Sequence, residues 1–221
     1  MISLKSKFVI MKKLLLLLVT MVLTTVIFGQ EKAAEDTSWK KTPRYTPERI
    51  NNLVHTKLDV KFDYDKSYLY GKAWVTLTPH FSPTARLTLD AKGMEIKKLN
   101  LVSNNNNRPL KFEYNNEQIN IQLDKTYKKG EKYTVYVEYT AKPDEYEKQS
   151  GRDPMLGTKG LFFINPKGED KNKPIQIWTQ GETESNSVWF PTIDQTQQKT
   201  TQEIYMTVPA KYVSLSNGKL I

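Results

Sequence analysis

An all-β fold, an antiparallel β-sandwich, is what this sequence predicts, and three observations carry the expectation. From Ile50 onward apolar residues recur with a period of two, as in LVHTKLDVKFDY and YLYGKAWVTLTPHF. The short alternating runs are separated by clusters such as SNNNNRP, YNNE and KKGE. No apolar pattern of helical period extends beyond two turns. Alternation sends successive side chains to opposite faces of a strand, and Asn, Gly and Pro supply the turns between strands.

The first expected element is not part of the fold. Residues 1–29 read as a secretory signal peptide: Lys12 and Lys13 precede an apolar run of fifteen residues from Leu14 to Phe28, with Gly29 at the cleavage position. That run suits an export signal and is short for a membrane span. Met11 is read as the start, and an uncleaved anchor is disfavoured because no basic flank follows at once. Residues 30–49 are polar, contain Pro43 and Pro47, and read as a linker. The β-domain is expected over 50–221.

Within it, the first strand places Val54, Leu58, Val60 and Phe62 on one side, and the second does the same with Leu69, Ala73, Val75 and Leu77. ARLTLD, MEIKKLNLV, QINIQLD and KYTVYVEYT follow as strands, with EYNNEQI as a tight hairpin whose asparagines can take positive φ. Lys142 to Lys173 reads as loop around a short strand, LFFI. IQIWTQ is another strand, and TTQEIYMTVPAKYVSLSNGKL reads as two more joined by VPAK. Because the sequence stops at Ile221 just after the turn signal SNG, the sandwich is expected to lack its last strands. An unpaired edge of that kind invites association.

Composition narrows the function. Residues 1–29 carry Lys5, Lys7, Lys12 and Lys13 and no acid, so the formal net charge of +9 falls to +5 for the exported part. Its basic residues alternate with acids, as in KTYKKGEKY, rather than clustering on one face, so nucleic acid is not an expected partner. The absence of cysteine excludes lipid attachment at a lipobox cysteine and disulfides, and the fold must rest on an apolar core. His55 and His80 are the only histidines, both in predicted strands without partners at ligand spacing, so no metal site is expected in this chain. No Gly-x-Ser-x-Gly elbow and no phosphate-cradling glycine loop is present.

One segment stands apart: IWTQGETESNSVWFPTID, Ile177 to Asp194, with two tryptophans, Glu182 and Glu184, and a Trp-Phe-Pro corner. In an extended strand the two glutamates would share a face, close enough to compete for one proton or to bind one cation, although a lone Glu-x-Glu usually means two solvated side chains. The order of features resembles the N-terminal domain of the aminopeptidase N family of zinc metallopeptidases. The resemblance is carried by Thr179, Gln180 and Glu182 at a strand end, Trp189, Phe190, Pro191 and Asp194 at a corner, Lys199 with TTQEIYMTVP, and a closing YVSLSNGKL. It extends from about Val54 to Ile221. The departures are SNSVW where many relatives have an Ala-Arg pair, and Asp194-Gln195-Thr196 where they have Asp-x-Pro.

The resemblance implies a saddle-like sandwich that leans over a catalytic domain. It implies that Glu182 binds the free α-amino group of a peptide substrate, with Gln180 lining the first subsite on the same strand face. It implies structural roles for Pro191 and Asp194, the aspartate accepting backbone N–H bonds, and core positions for Trp189 and Phe190. The Gly-x-Met-Glu-Asn strand, the His-Glu-x-x-His helix and the downstream zinc glutamate of the family are absent from these 221 residues. Zinc is therefore expected in the complete enzyme and not in this chain, which alone is expected to be inactive. The expected partner is a peptide N-terminus held together with the catalytic domain, and no membrane once the signal is removed. Two alternatives stay open: an exported binding module for carbohydrate or protein that uses Trp74, Trp178 or Trp189 as a stacking platform, and a stand-alone relic of the peptidase domain.

Overall fold

The structure, a computed structural model, describes residues 12–13, 48–103, 107–150 and 159–221. The expected signal peptide and linker lie outside the described residues, apart from Lys12, Lys13, Glu48 and Arg49. No helix among the described residues is long and apolar enough to cross a membrane.

Among the described residues from Glu48 onward, eleven strands and one α-helix follow in chain order: β1 (Asn51–Asp63), β2 (Tyr68–Pro79), β3 (Thr84–Asp90), β4 (Met94–Leu101), β5 (Arg108–Pro109), β6 (Lys111–Tyr114), β7 (Gln118–Tyr127), β8 (Tyr133–Ala141), α1 (Pro143–Ser150), β9 (Leu161–Ile164), β10 (Gln176–Thr179) and β11 (Thr201–Thr207). They build a six-stranded sheet in the order β11-β1-β2-β8-β4-β5, a three-stranded sheet β3-β7-β6 and a two-stranded sheet β10-β9. Leu58, Val60, Leu69, Val75 and Val137 of the large sheet share one apolar cluster with Leu87, Leu89, Ile119 and Ile121 of the three-stranded sheet. Each fully buried leucine or isoleucine of this kind contributes about 2 kcal/mol from apolar burial. The expected all-β sandwich is therefore formed.

Four details depart from the sequence reading. The first strand changes face part-way: a register shift between Leu53 and His55 makes Leu53 the buried residue and leaves Val54 half-buried. A bulge inserts one residue into the alternation, and no periodic reading anticipates it. Second, the sandwich is not purely antiparallel, because β11 pairs with β1 in parallel, His55 opposite Thr201 through Lys61 opposite Thr207. His55 ties the two strands: its ring lies 2.8 Å from Thr201 Oγ1 and 3.5 Å from the Glu203 carboxylate.

Third, part of the loop after Lys142 is helical. In α1 Pro143 and Tyr146 are buried and the other described residues are polar, so no apolar stripe announces it. Its signals are a proline at the first position with Asp144 and Glu145 in the first turn and Lys148 in the last. Fourth, YVSLSNGKL forms no strand. Val213 and Leu215 are 90% and 92% exposed, and Tyr212 instead stacks on Tyr64 with ring centroids 5.1 Å apart. The hairpin at YNNE does form, with Asn116 at φ 72 and the Asn115 side chain accepting N–H bonds from Glu117 and Gln118.

Candidate functional site

The segment Ile177–Asp194 starts on the β9–β10 hairpin. Leu161 and Phe163 of β9 enter the core, which turns Phe162 and its cross-strand partner Trp178 outward. Their rings stack at 4.5 Å with an interplanar angle of 13°. The pairing continues one step past Thr179, where the Gln180 N–H donates to the Gly160 carbonyl at 2.9 Å. The chain then turns instead of extending. Glu182 to Ser185 form the turn, the Glu182–Thr183 peptide is cis, and Ser185 N–H closes onto the Gly181 carbonyl at 3.0 Å.

Gly160 is the residue that lets this turn sit so close. Its φ is +72, and a Cβ there would lie 2.0 Å from the Ser185 carbonyl oxygen. Asn186–Val188 form one 3-10 turn, with Ser187 and Val188 fully buried. The Trp-Phe-Pro corner follows: Phe190 belongs to the core and Trp189 packs against it, as expected.

Two aspartates lock the corner. Asp194, nearly buried, accepts the Ser187 N–H at 2.8 Å and the Asn186 side-chain amide at 3.3 Å. Its own N–H donates to Asp90 at 2.9 Å, and the other Asp90 oxygen accepts Gln118 Nε2 at 2.9 Å. Backbone bonds between Asp90 and Thr192, 2.7 and 3.0 Å, complete a short antiparallel bridge. Lys92 holds the turn from outside, its ammonium on the Glu184 carbonyl at 2.6 Å and its N–H on the Ser187 carbonyl at 2.7 Å. The turn that carries Asp90 and Lys92 is itself braced by Tyr114, whose hydroxyl donates to the Ala91 carbonyl and accepts the Met94 N–H. Burial pushes that phenol up to about 12.

What this frame presents to solvent is Glu182, whose carboxylate has no hydrogen bond or ion pair among the described residues, and Gln180, half-buried at the hairpin end. Glu184 is also exposed on the turn, so the extended-strand geometry that would pair the two glutamates, and put Gln180 and Glu182 on one strand face, is not the one adopted. Asp194 takes the structural role expected of it. Asp90, Lys92, Asn186 and Gly160 were not singled out by the sequence reading. Asp90 lies 104 residues from Asp194, and no local pattern joins them.

A cleft of about 750 Å³ lies over the outer face of β3, β6 and β7, lined by Arg86, Lys111, Phe112, Asp90 and Ile193 among others. It touches the corner but includes neither Gln180 nor Glu182. Among the described residues no group of three or more His, Asp or Glu side chains is placed to hold a metal ion. No step of metal chemistry is assigned to this chain.

The fold is thus an antiparallel-rich sandwich whose hairpin end carries a locked Thr-Gln-x-Glu turn. The Peptidase M1 N-terminal domain model matches residues 49–221, and the chain belongs to that family. A two-domain M1 zinc metallopeptidase solved with L-arginine superposes with a TM-score of 0.58 at 17% identity, over 74% of this chain and 34% of that one. An M1 zinc metallopeptidase from Deinococcus radiodurans gives 0.54 at 16% identity, over 74% and 33%. Yeast LTA4 hydrolase gives 0.53 at 15% identity, over 79% and 27%. At these identities the superpositions establish the fold. The chain spans about a third or less of the length of these structures. No curated protein matches it.

Proposed function

We propose that this chain is the substrate-anchoring N-terminal domain of an exported zinc metalloaminopeptidase that removes N-terminal residues from peptides. The observation that carries the reading is the Glu182 turn. A carboxylate without an internal partner stands on a segment fixed by Gly160, Lys92, Asp194 and Asp90. Family membership supports it, as do related structures solved with a Tyr-Ser-Ala substrate and with L-tryptophan.

In this reading Glu182 receives the protonated α-amine of a peptide in charge-assisted hydrogen bonds, and Gln180 lines the first subsite. A blocked N-terminus lacks the charge and leaves the carboxylate unmatched, so it is rejected. Zinc and the water it activates belong to the catalytic domain, and the 221-residue chain alone is inactive. The N-terminal Lys12-Lys13 and apolar run direct export. A binding module built on a row of tryptophans is less well supported, because Trp74 lies beneath Lys57 on the large sheet and Trp189 packs against the core.

The test is a polypeptide in which this domain is followed by a His-Glu-x-x-His catalytic domain. Glu182→Gln should lower kcat/KM for unblocked aminoacyl amides by about tenfold to a hundredfold. An unchanged ratio of free to N-acetylated substrate would overturn the amine role.

A further inference from the structure

The outer face of the β9–β10 hairpin carries an aromatic pair to which the amine-binding reading gives no task. Trp178 is 43% exposed although its ring stacks on Phe162 at 4.5 Å. The inner face of the same hairpin is satisfied, with Leu161 and Phe163 buried and Ile177 packed against the core. The hairpin would therefore hold without an outward indole. One side of the pair is already engaged: the Lys159 ammonium sits 5.6 Å from the Phe162 ring centroid, held there by Asp144 at 2.6 Å and Glu147 at 3.4 Å. The pair thus accepts a cation on a ring face.

Position gives the platform its partner. The β9–β10 pairing extends to Gln180 through its bond to Gly160, so strand alternation puts Trp178 and Gln180 on one face. Glu182 follows two residues later on the turn. Four residues of chain span at most about 13 Å, and an extended tripeptide spans about 10 Å. A peptide whose amine meets Glu182 can therefore lay one of its first side chains on Trp178. Planar aromatic rings and the flat, weakly hydrated guanidinium stack on an indole; a methyl group gains little there.

We propose that Trp178, backed by Phe162, is a stacking subsite that selects peptides carrying an aromatic or arginine side chain near the free N-terminus. The inference rests on the amine-binding role of Glu182 for the direction in which the peptide lies.

The experiment uses the 221-residue chain with indole-labelled tryptophan, the Trp178 resonance being assigned with Trp178→Phe. Free-amine alanine tripeptides containing one tyrosine or one arginine are titrated against trialanine, each beside its N-acetylated form. The Trp178 indole N–H should move with the tyrosine and arginine peptides at concentrations where trialanine leaves it still. Trp178→Ala should weaken those two about threefold to tenfold and leave trialanine unchanged, while Trp178→Phe keeps the preference. Equal weakening of all three peptides by Trp178→Ala, or no shift with any of them at about 10 mM, overturns the subsite. Glu182→Gln separates the two readings. Loss of the free-amine preference with the tyrosine preference retained supports both. An intact free-amine preference removes the amine role and leaves the stacking preference to stand or fall on the Trp178 variants.

Discussion

Asp194 closes the corner, and its removal should be felt well before any substrate is added. Asp194→Ala leaves the Ser187 N–H, on a fully buried residue, without its acceptor. An orphaned buried donor costs about 1–3 kcal/mol, so urea unfolding should show a loss of about 2 kcal/mol, with Asp194→Asn milder because one oxygen remains. An unchanged midpoint would mean that the corner relaxes and that Glu182 is not rigidly presented. The Thr-Gln-x-Glu and Phe-Pro-x-x-Asp patterns were legible because each is local and ordered along the chain. Asp90 and Lys92 were not, because an aspartate ending one strand and a lysine in a turn look like any others until the fold brings Thr192 and Ser187 beside them.

At the scale of elements, the β2–β8 pair shows how a glycine in a strand is made useful. Gly71 faces Tyr139 across the ladder, and a Cβ on it would lie 2.2 Å from the phenol ring. The ring occupies the volume that a side chain would fill. Gly71→Ala should therefore cost about 1–3 kcal/mol by overpacking, read from thermal or urea unfolding. The Tyr139 hydroxyl is buried with no hydrogen-bond partner among the described residues, and burial pushes its titration up. Tyr139→Phe should thus change stability by less than about 1 kcal/mol or raise it. A large loss from that variant would point to a bonded hydroxyl. Strand identity was readable for most of the chain because alternation is a local signal, but β5 lies in SNNNNRP, which reads as a turn cluster. The bulge at Leu53/His55 and helix α1 were not readable either, the first being a one-residue shift and the second burying only Pro143 and Tyr146 without an apolar stripe.

For the whole molecule one open feature is β11. Among the described residues its partner is β1 on one side, and the order of the sheet ends with it on the other. Val213, Leu215, Leu220 and Ile221 beyond it are exposed. An uncovered edge followed by an exposed apolar segment favours strand addition between molecules. Sizing chromatography of residues 30–221 should show oligomers that grow with concentration, and Val213→Lys with Leu215→Lys should shift the distribution toward monomer. A monodisperse monomer at high concentration would contradict this.

By itself the sequence determined the all-β class, the order of nearly all strands and the family resemblance, and it offered Glu182 and Gln180 as candidates. Each of these rests on residue type and short spacing, which the linear chain carries intact. The tertiary structure alone decided that β11 runs parallel to β1, that the glutamates stand on a turn, and that Asp90, Lys92 and Gly160 hold that turn. It also decided that Trp178 faces outward beside it. Those facts depend on which distant segments meet, and such meetings are set by packing the whole core at once, where no local period is informative.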